Sequence, residues 1–296
     1  MVVGSSKKLY VYYDERYPYS WIPHNIAKII ARELEKYDFE AIDTTSLKNI
    51  LSEGSRTTDK EYVVVFAQDV VPDLILDNPN NPTANSLLRL FLNVGHSIVW
   101  IGDVPLYYVG KIDGGKINTP NAMQNVLGIN SNFINTNKPV MLTVYGIMFG
   151  LPTWIGTRPH QRNLPPGVSG VTYTPLAIAD NTQYMHAFIV CYKHGVALPV
   201  GFIRIYDFPI NKTELITELF IRGIINVATR DLVTTIWSEI KILSERVNKI
   251  AGELDTKFST LKSEIDSLRT MVDEILKLEK EILEAIRGKQ EDKKSP

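Results

Sequence analysis

The sequence predicts an α/β protein, a doubly wound and mainly parallel sheet with an antiparallel extension, followed by a long C-terminal coiled-coil helix. Three observations carry this. Four apolar strand-like runs alternate with three helices before residue 102, which is the pattern of a right-handed doubly wound sheet. Two β-rich runs near residue 200, separated by a short connection, read as an antiparallel pair that finishes the sheet. Beyond residue 232, apolar residues recur at alternating spacings of four and three, the seam of a left-handed coiled coil.

Taken in order, Lys8 to Tyr13 is a β-rich run ending at Asp14-Glu15, and Ile22, Ile26, Ile29, Ile30 and Leu34 follow at helical spacing. Phe39 to Ile42 gives a second strand, with Asp43 or Thr44 capping a brief helix through Leu51. Tyr62 to Ala67 is apolar on both faces, as a central parallel strand should be, and it ends at Gln68-Asp69. Thr83 to Val94 makes a helix that stops at Gly95. Ser97-Ile98-Val99-Trp100-Ile101 is then a buried strand closing on the turn Gly102-Asp103-Val104-Pro105. Ligands of open α/β sheets sit beyond the carboxyl ends of the strands, so that turn is the first place to look for chemistry.

Further on, Asn121 to Leu127 reads as a short helix ending at Gly128, and Met141 to Val144 as the start of a strand. Phe149 to Pro166 reads as a surface loop carrying Trp154, Arg158, His160 and Arg162. His186 to Tyr192 and Gly201 to Tyr206 form the expected antiparallel pair. The α/β domain is thus placed at residues 1–210, with a connecting helix at 211–231, the coiled coil at 232–287 and a disordered charged tail at 288–296.

Composition excludes several classes. With 296 residues the chain can hold a sizeable core plus an extension. Its net charge of -1 gives no reason to expect nucleic acid. The single cysteine, Cys191, rules out an internal disulfide and a cysteine-based zinc site, and fits a reducing, cytoplasmic setting. No stretch approaches the ~20 apolar residues that cross a bilayer, so no membrane insertion is expected, and Met1 to Lys8 is too short and polar for a signal peptide. Asn211-Lys212-Thr213 matches a glycosylation sequon, with nothing else arguing for secretion. Neither a G-x-G-x-x-G loop nor a P-loop occurs. No cofactor and no metal are expected.

The order of parts resembles the class I glutamine amidotransferase-like superfamily, in particular its trehalose-utilisation-protein-like branches. The matching stretches are Phe91 to Asp103, Leu142 to Gly146 and Gly201 to Tyr206, and the resemblance covers residues 7 to 210. It implies a flavodoxin-like sheet. Active members carry a cysteine between glycines on a strand-to-helix elbow, with a histidine and a carboxylate further along. The elbow falls here at Gly102-Asp103-Val104-Pro105, which has no cysteine and no second glycine. A thiolate is the nucleophile of that chemistry, so no catalytic residue carries over and a non-enzyme is the expectation.

Asp14, Glu15, Gln68, Asp69 and Asp103 all follow predicted strands, and a parallel sheet would gather them along one rim as a ligand site. Asp and Asn also populate such turns because their side chains bond nearby backbone. Thr157 to Arg162, with Arg158 and His160, could clamp an anion, since the arginine fork matches phosphate and carboxylate. A hydrolase or small-ligand-binding enzyme built on these groups is the alternative function. Cys191 and His194 form a tempting pair. Alternation along a strand would point them to opposite faces, and buried cysteine is a common core residue. The remaining histidines, His24, His96 and His186, have no metal-ligand spacing.

The seam of the long helix runs through Ile236, Ile240, Leu243, Val247, Ile250 and Leu254, then resumes at Phe258, Leu261, Ile265, Leu268, Val272, Ile275 and Ile282. Between Leu254 and Phe258 the phase slips, giving an eleven-residue unit and local unwinding. Gly252 lies in that region and weakens the helix by roughly 1 kcal/mol relative to alanine. With no proline to fold it into a hairpin, another chain should cover this stripe. The expected partners are copies of the chain itself, in a parallel dimer or trimer, and an unidentified protein that the displayed domains would bind.

Overall fold

The computed structural model describes residues 7–165, 170–180, 182–192, 201–229 and 232–292, with side chains described outside 230–245 and 284–296. The chain divides into two units, Met1–Ile236 and Trp237–Pro296. The first unit is built on a nine-stranded sheet. Its strands are β1 Lys7–Tyr12, β2 Glu40–Ile42, β3 Glu61–Phe66, β4 Ser97–Ile101, β5 Met141–Leu142, β6 His160–Gln161, β7 Thr172–Ile178, β8 Tyr184–Cys191 and β9 Gly201–Ile205. The strand order is β2-β1-β3-β4-β9-β8-β7-β5, with β6 pairing β8.

The run from β2 to β9 is parallel, and everything beyond β9 is antiparallel. A sheet with β1 flanked by β2 on one side and β3 on the other reverses direction at β1/β3, and the crevice at such a reversal is where ligands collect. That order is compatible with a flavodoxin-like sheet.

Helices cover both faces, which is why the central strands are apolar on both sides. Along β3, Val63 and Val65 face a core shared with α1 (His24–Glu35) and α5 (Glu218–Thr229). Tyr62, Val64 and Phe66 face the opposite core with α2 (Thr44–Gly54) and α3 (Leu87–Val94). In α1 the buried Ile26, Ile30 and Leu34 repeat every four residues, and Ala27 and Ala31 let the helix approach the sheet. Asp43 caps α2, its side chain accepting from the Ser46 N–H. Gly95 ends α3 in the left-handed conformation. His96, just after it, is a core residue, its Nε2 2.9 Å from the Gly54 carbonyl and its Nδ1 accepting from the Tyr62 N–H.

The regions after residue 110 depart from the sequence reading. β7 is a full strand where none is expected, and it carries the bulge and Pro175 that conceal its alternation. Met141–Leu142 forms only a two-residue strand, because Thr143 accepts from the Gly146 N–H and starts the short helix α4, Val144–Met148. The expected surface loop from Phe149 to Pro166 is largely internal: Phe149, Trp154 and His160 are buried. Asn121 to Leu127 narrows to one π-helical turn, Met123–Leu127, closed by Gly128. β9 pairs with β8 as expected, and it also joins β4 in parallel, so it is the fifth parallel strand.

The long helix, α6, runs Leu232–Asp292, 61 residues or about 90 Å at the standard rise. It passes through Gly252 without a break and continues beyond Gly288, where composition suggested disorder. Among the described residues no helix is long and apolar enough to cross a membrane.

Candidate functional site

Two groups of polar side chains occupy the carboxyl ends of the parallel strands. The outer one follows β1. Asp14 is buried, and its carboxylate accepts from Arg16 Nε at 2.8 Å and Nη2 at 2.6 Å and from the Thr44 N–H at 3.1 Å. Burial alone would raise its pKa, but these donors outweigh it and hold the carboxyl at about 2. The Asp14 N–H donates to Gln68 Oε1 at 2.7 Å, so the turns after β1 and β3 are stitched together. Arg16 reaches on to Asp43 at 3.0 Å, and Lys28 pairs with the exposed Glu15 at 3.4 Å. These residues line a cleft of about 400 Å³ whose charges are all partnered.

The inner group follows β3 and β4. Asp69 is fully buried and accepts from the backbone N–H groups of Ser20 at 3.2 Å, Trp21 at 2.8 Å and Asp103 at 3.3 Å. Among the described residues no cation touches it. Burial, helped by the neighbouring Asp103 charge, pushes its pKa up to about 6 against those three bonds. Asp103 accepts from the Ser20 hydroxyl at 3.1 Å, the Val104 N–H at 2.6 Å and Arg158 Nη1 at 2.6 Å. Gly102 is required between them: its φ is +90°, and a Cβ there would lie 3.0 Å from Ile22 and 3.1 Å from Asp69. The Arg158 guanidinium lies over the rings of Trp21 at 4.6 Å and Phe133 at 5.4 Å.

Behind this pair lies a layer that the sequence reading did not single out. Arg204, on β9, is fully buried, and its Nη1 donates to the Arg158 carbonyl at 2.8 Å while Nη2 reaches the Gly102 carbonyl at 3.4 Å. Burial lowers its pKa, and Asp207 and Asp103 oppose that. Asp207 accepts from Trp154 Nε1 at 2.7 Å, the Arg158 N–H at 2.9 Å and His186 Nδ1 at 2.7 Å, which places the imidazole proton on Nδ1. Asp207 therefore anchors the segment that carries Arg158.

His160 is fully buried near Phe133 and Phe188, and among the described residues neither ring nitrogen has a hydrogen bond of ordinary geometry. Burial, then Arg204, His186 and Arg158, lower its pKa well below the usual value against a raising contribution from the Asn132 backbone, so the ring is neutral. Arg158 and His160 therefore do not act as two free cations in an anion clamp. One is paired with Asp103 and the other is uncharged.

The strand-end residues predicted from sequence thus split. Asp14, Glu15 and Gln68 belong to the outer group, Asp69, Asp103, Arg158 and His160 to the inner. Ser20, Trp21, Arg204 and Asp207 were missed. An arginine inside the apolar run Gly201 to Tyr206 was a signal for Arg204. Asp207 follows its strand as Asp69 and Asp103 follow theirs. Cys191 is half-buried and its thiol is raised by burial, with a Thr172 hydrogen bond opposing, which disfavours the thiolate. His194 lies outside the described residues. Among those residues no group of three or more His, Cys, Asp or Glu is placed to hold a metal ion.

Fold and site together define an α/β protein with a buried charged network at its strand ends and a long C-terminal helix. The profile of the MJECL34 family matches residues 7–231, and the chain belongs to that family. A Methanocaldococcus jannaschii protein bearing the name "Uncharacterized protein MJECL34" is 64% identical over 290 residues, covering 98% of this chain and 97% of its own length. No solved structure matches.

Proposed function

We propose that the chain is a self-associating binding protein whose α/β domain is displayed in several copies by a parallel coiled coil. One observation carries this reading. The seam residues Val247, Ile250, Leu254, Phe258, Leu261, Ile265, Leu268, Val272, Ile275 and Ile282 are 49–69% exposed on the helix. Burying each against a second helix is worth about 1.5–3 kcal/mol, far more than an isolated helix can forgo. Ile236, Ile240 and Leu243 continue the same stripe in the sequence, and their side chains lie outside the described residues. Several linked copies raise avidity for a repeated partner without a strong single site.

The strand order is compatible with the flavodoxin-like sheet that the resemblance implies, and Asp103, at the expected elbow, is held in an ion pair rather than free to act as a nucleophile. The lone cysteine supports a cytoplasmic location. Sedimentation equilibrium of the full chain and of a chain ending at Ile236 tests the reading. The full chain should be a dimer or trimer and the shortened one a folded monomer, whereas a monomeric full chain would end the proposal.

The enzyme reading rests on the strand-end acids converging on an open pocket. Asp14 is locked to Arg16 and Asp103 to Arg158, which favours the scaffold.

A further inference from the structure

We propose that a second site of the α/β unit, an apolar pocket beside α5, binds a small organic cation. Its hydrocarbon body would lie against Trp154, Phe208 and Phe220, with its ammonium group facing Glu214. The pocket holds about 340 Å³, the size of an ordinary small-molecule site. Its walls are Trp154, Ile155, Tyr206, Phe208, Leu219 and Phe220, and Glu214 is the one charged residue among the described ones that line it. The Asp14 cleft, by contrast, is lined by charges that already have partners.

The floor of the pocket is built rather than incidental. Tyr206 has φ of +56°, a conformation that a bulky residue adopts only when its surroundings enforce it. Its carbonyl accepts from the Gly102 N–H at 3.1 Å and the Phe208 N–H at 2.9 Å, and its hydroxyl donates to the Phe220 carbonyl at 3.2 Å. A Cβ on residue 223 would sit 2.1 Å from that hydroxyl, so Gly223 is what admits it. The Tyr206 ring then stacks on Phe220 at 4.4 Å and meets Trp154 edge-on at 5.2 Å. The indole N–H of Trp154 is committed to Asp207. An incoming ligand therefore meets the half-buried Phe208, the small uncovered part of Trp154 and one exposed carboxylate. Aromatic faces attract cations, and a carboxylate that is the one charged lining group among the described residues selects positive charge over neutral or negative.

Calorimetric titration of the full-length protein at low salt with phenethylammonium and with 2-phenylethanol tests this, because the two probes share a body and differ in charge. The ammonium should bind about tenfold more tightly than the alcohol. Glu214→Gln, at an exposed position, should reduce that preference to within about twofold, and Phe208→Ala should weaken both probes. Equal binding of the two probes, a preference that survives Glu214→Gln, or no saturable binding of either would each overturn the proposal.

Discussion

Phe66, Trp100, Phe188 and Phe202 lose all their accessible surface inside the α/β unit, whereas Val247, Phe258 and Ile275 on the long helix keep 62, 69 and 62% of theirs. Polar groups reverse the contrast. The first unit buries Asp69, Asp103, Arg204 and Asp207 completely, and the helix carries its described charges on the outside. The α/β unit thus contains the contacts that stabilise it, including costly ones between charges. The helix keeps its apolar stripe exposed, and under the proposed function another chain would cover it. A domain of the first kind tolerates dilution, and the proposal requires that a helix of the second kind does not.

The strongest way to break this contrast is to charge the seam. Replacing both Leu261 and Leu268 with lysine places two ammonium groups per chain where apolar side chains should meet. We expect association to weaken by at least about 100-fold in sedimentation equilibrium, since each change forfeits apolar burial and adds like-charge repulsion. Helical circular dichroism should fall with it, while the near-ultraviolet signal of the α/β unit should be unchanged. An unaltered oligomer would mean that the stripe is not the interface.

Within the α/β unit the largest effect should come from Asp207→Ala. That carboxylate serves Trp154, the Arg158 backbone and His186 at once, all around buried space. Its removal leaves three donors unsatisfied and Arg204 without one of its nearby negative charges, so we expect a loss of about 4 kcal/mol in denaturant unfolding. The long helix should be insensitive to it.

How much of this was legible in the sequence follows the same division. β3, β4 and the long helix were readable because local pattern decides them: a run apolar on both faces, or apolar residues recurring at spacings of four and three. β7 was not, since Pro175 interrupts its run, a bulge breaks its alternation and its pairing depends on β8 and β5. Asp14, Asp69 and Asp103 could be placed on one rim because each follows a parallel strand. The burial of His160 could not be foreseen. It comes from pairing with Met185 on β8 and from packing near Phe133 and Phe188, contacts that no local pattern encodes. Arg204 is similar, satisfied by carbonyls of residues 158 and 102 that are remote in sequence.

Asp69 and Asp14 sharpen the contrast between sealed and open charge through pH. In the folded protein Asp69 keeps its proton up to about 6, whereas an unperturbed carboxyl titrates at 3.8. Between those values the fold binds a proton that the unfolded chain has released, so stability falls as pH rises through this window, by at most about 3 kcal/mol. Asp14 does the opposite. Its pKa is held at about 2, so its contribution is present above 3.8 and is lost as pH falls towards 2. Unfolding free energies of the monomeric α/β unit should slope downward from pH 4 to 6. Asp69→Asn should remove that slope whatever its absolute stability, and a flat wild-type profile would show that Asp69 is not sealed.

The smallest effects concern two glycines. At Gly156 a Cβ would lie 2.2 Å from His186 Nδ1, on the imidazole that Asp207 holds, so the ring cannot move aside without breaking that bond. At Gly252 a Cβ would meet nothing within 4 Å. Gly156→Ala should therefore destabilise the α/β unit by about 2 kcal/mol through forced repacking. Gly252→Ala should stabilise the helix by about 1 kcal/mol per chain through propensity alone. Thermal melts of the two variants should move in opposite directions. A destabilised Gly252→Ala helix would mean that a second chain approaches closely at the phase slip, placing the interface there as well as along the seam.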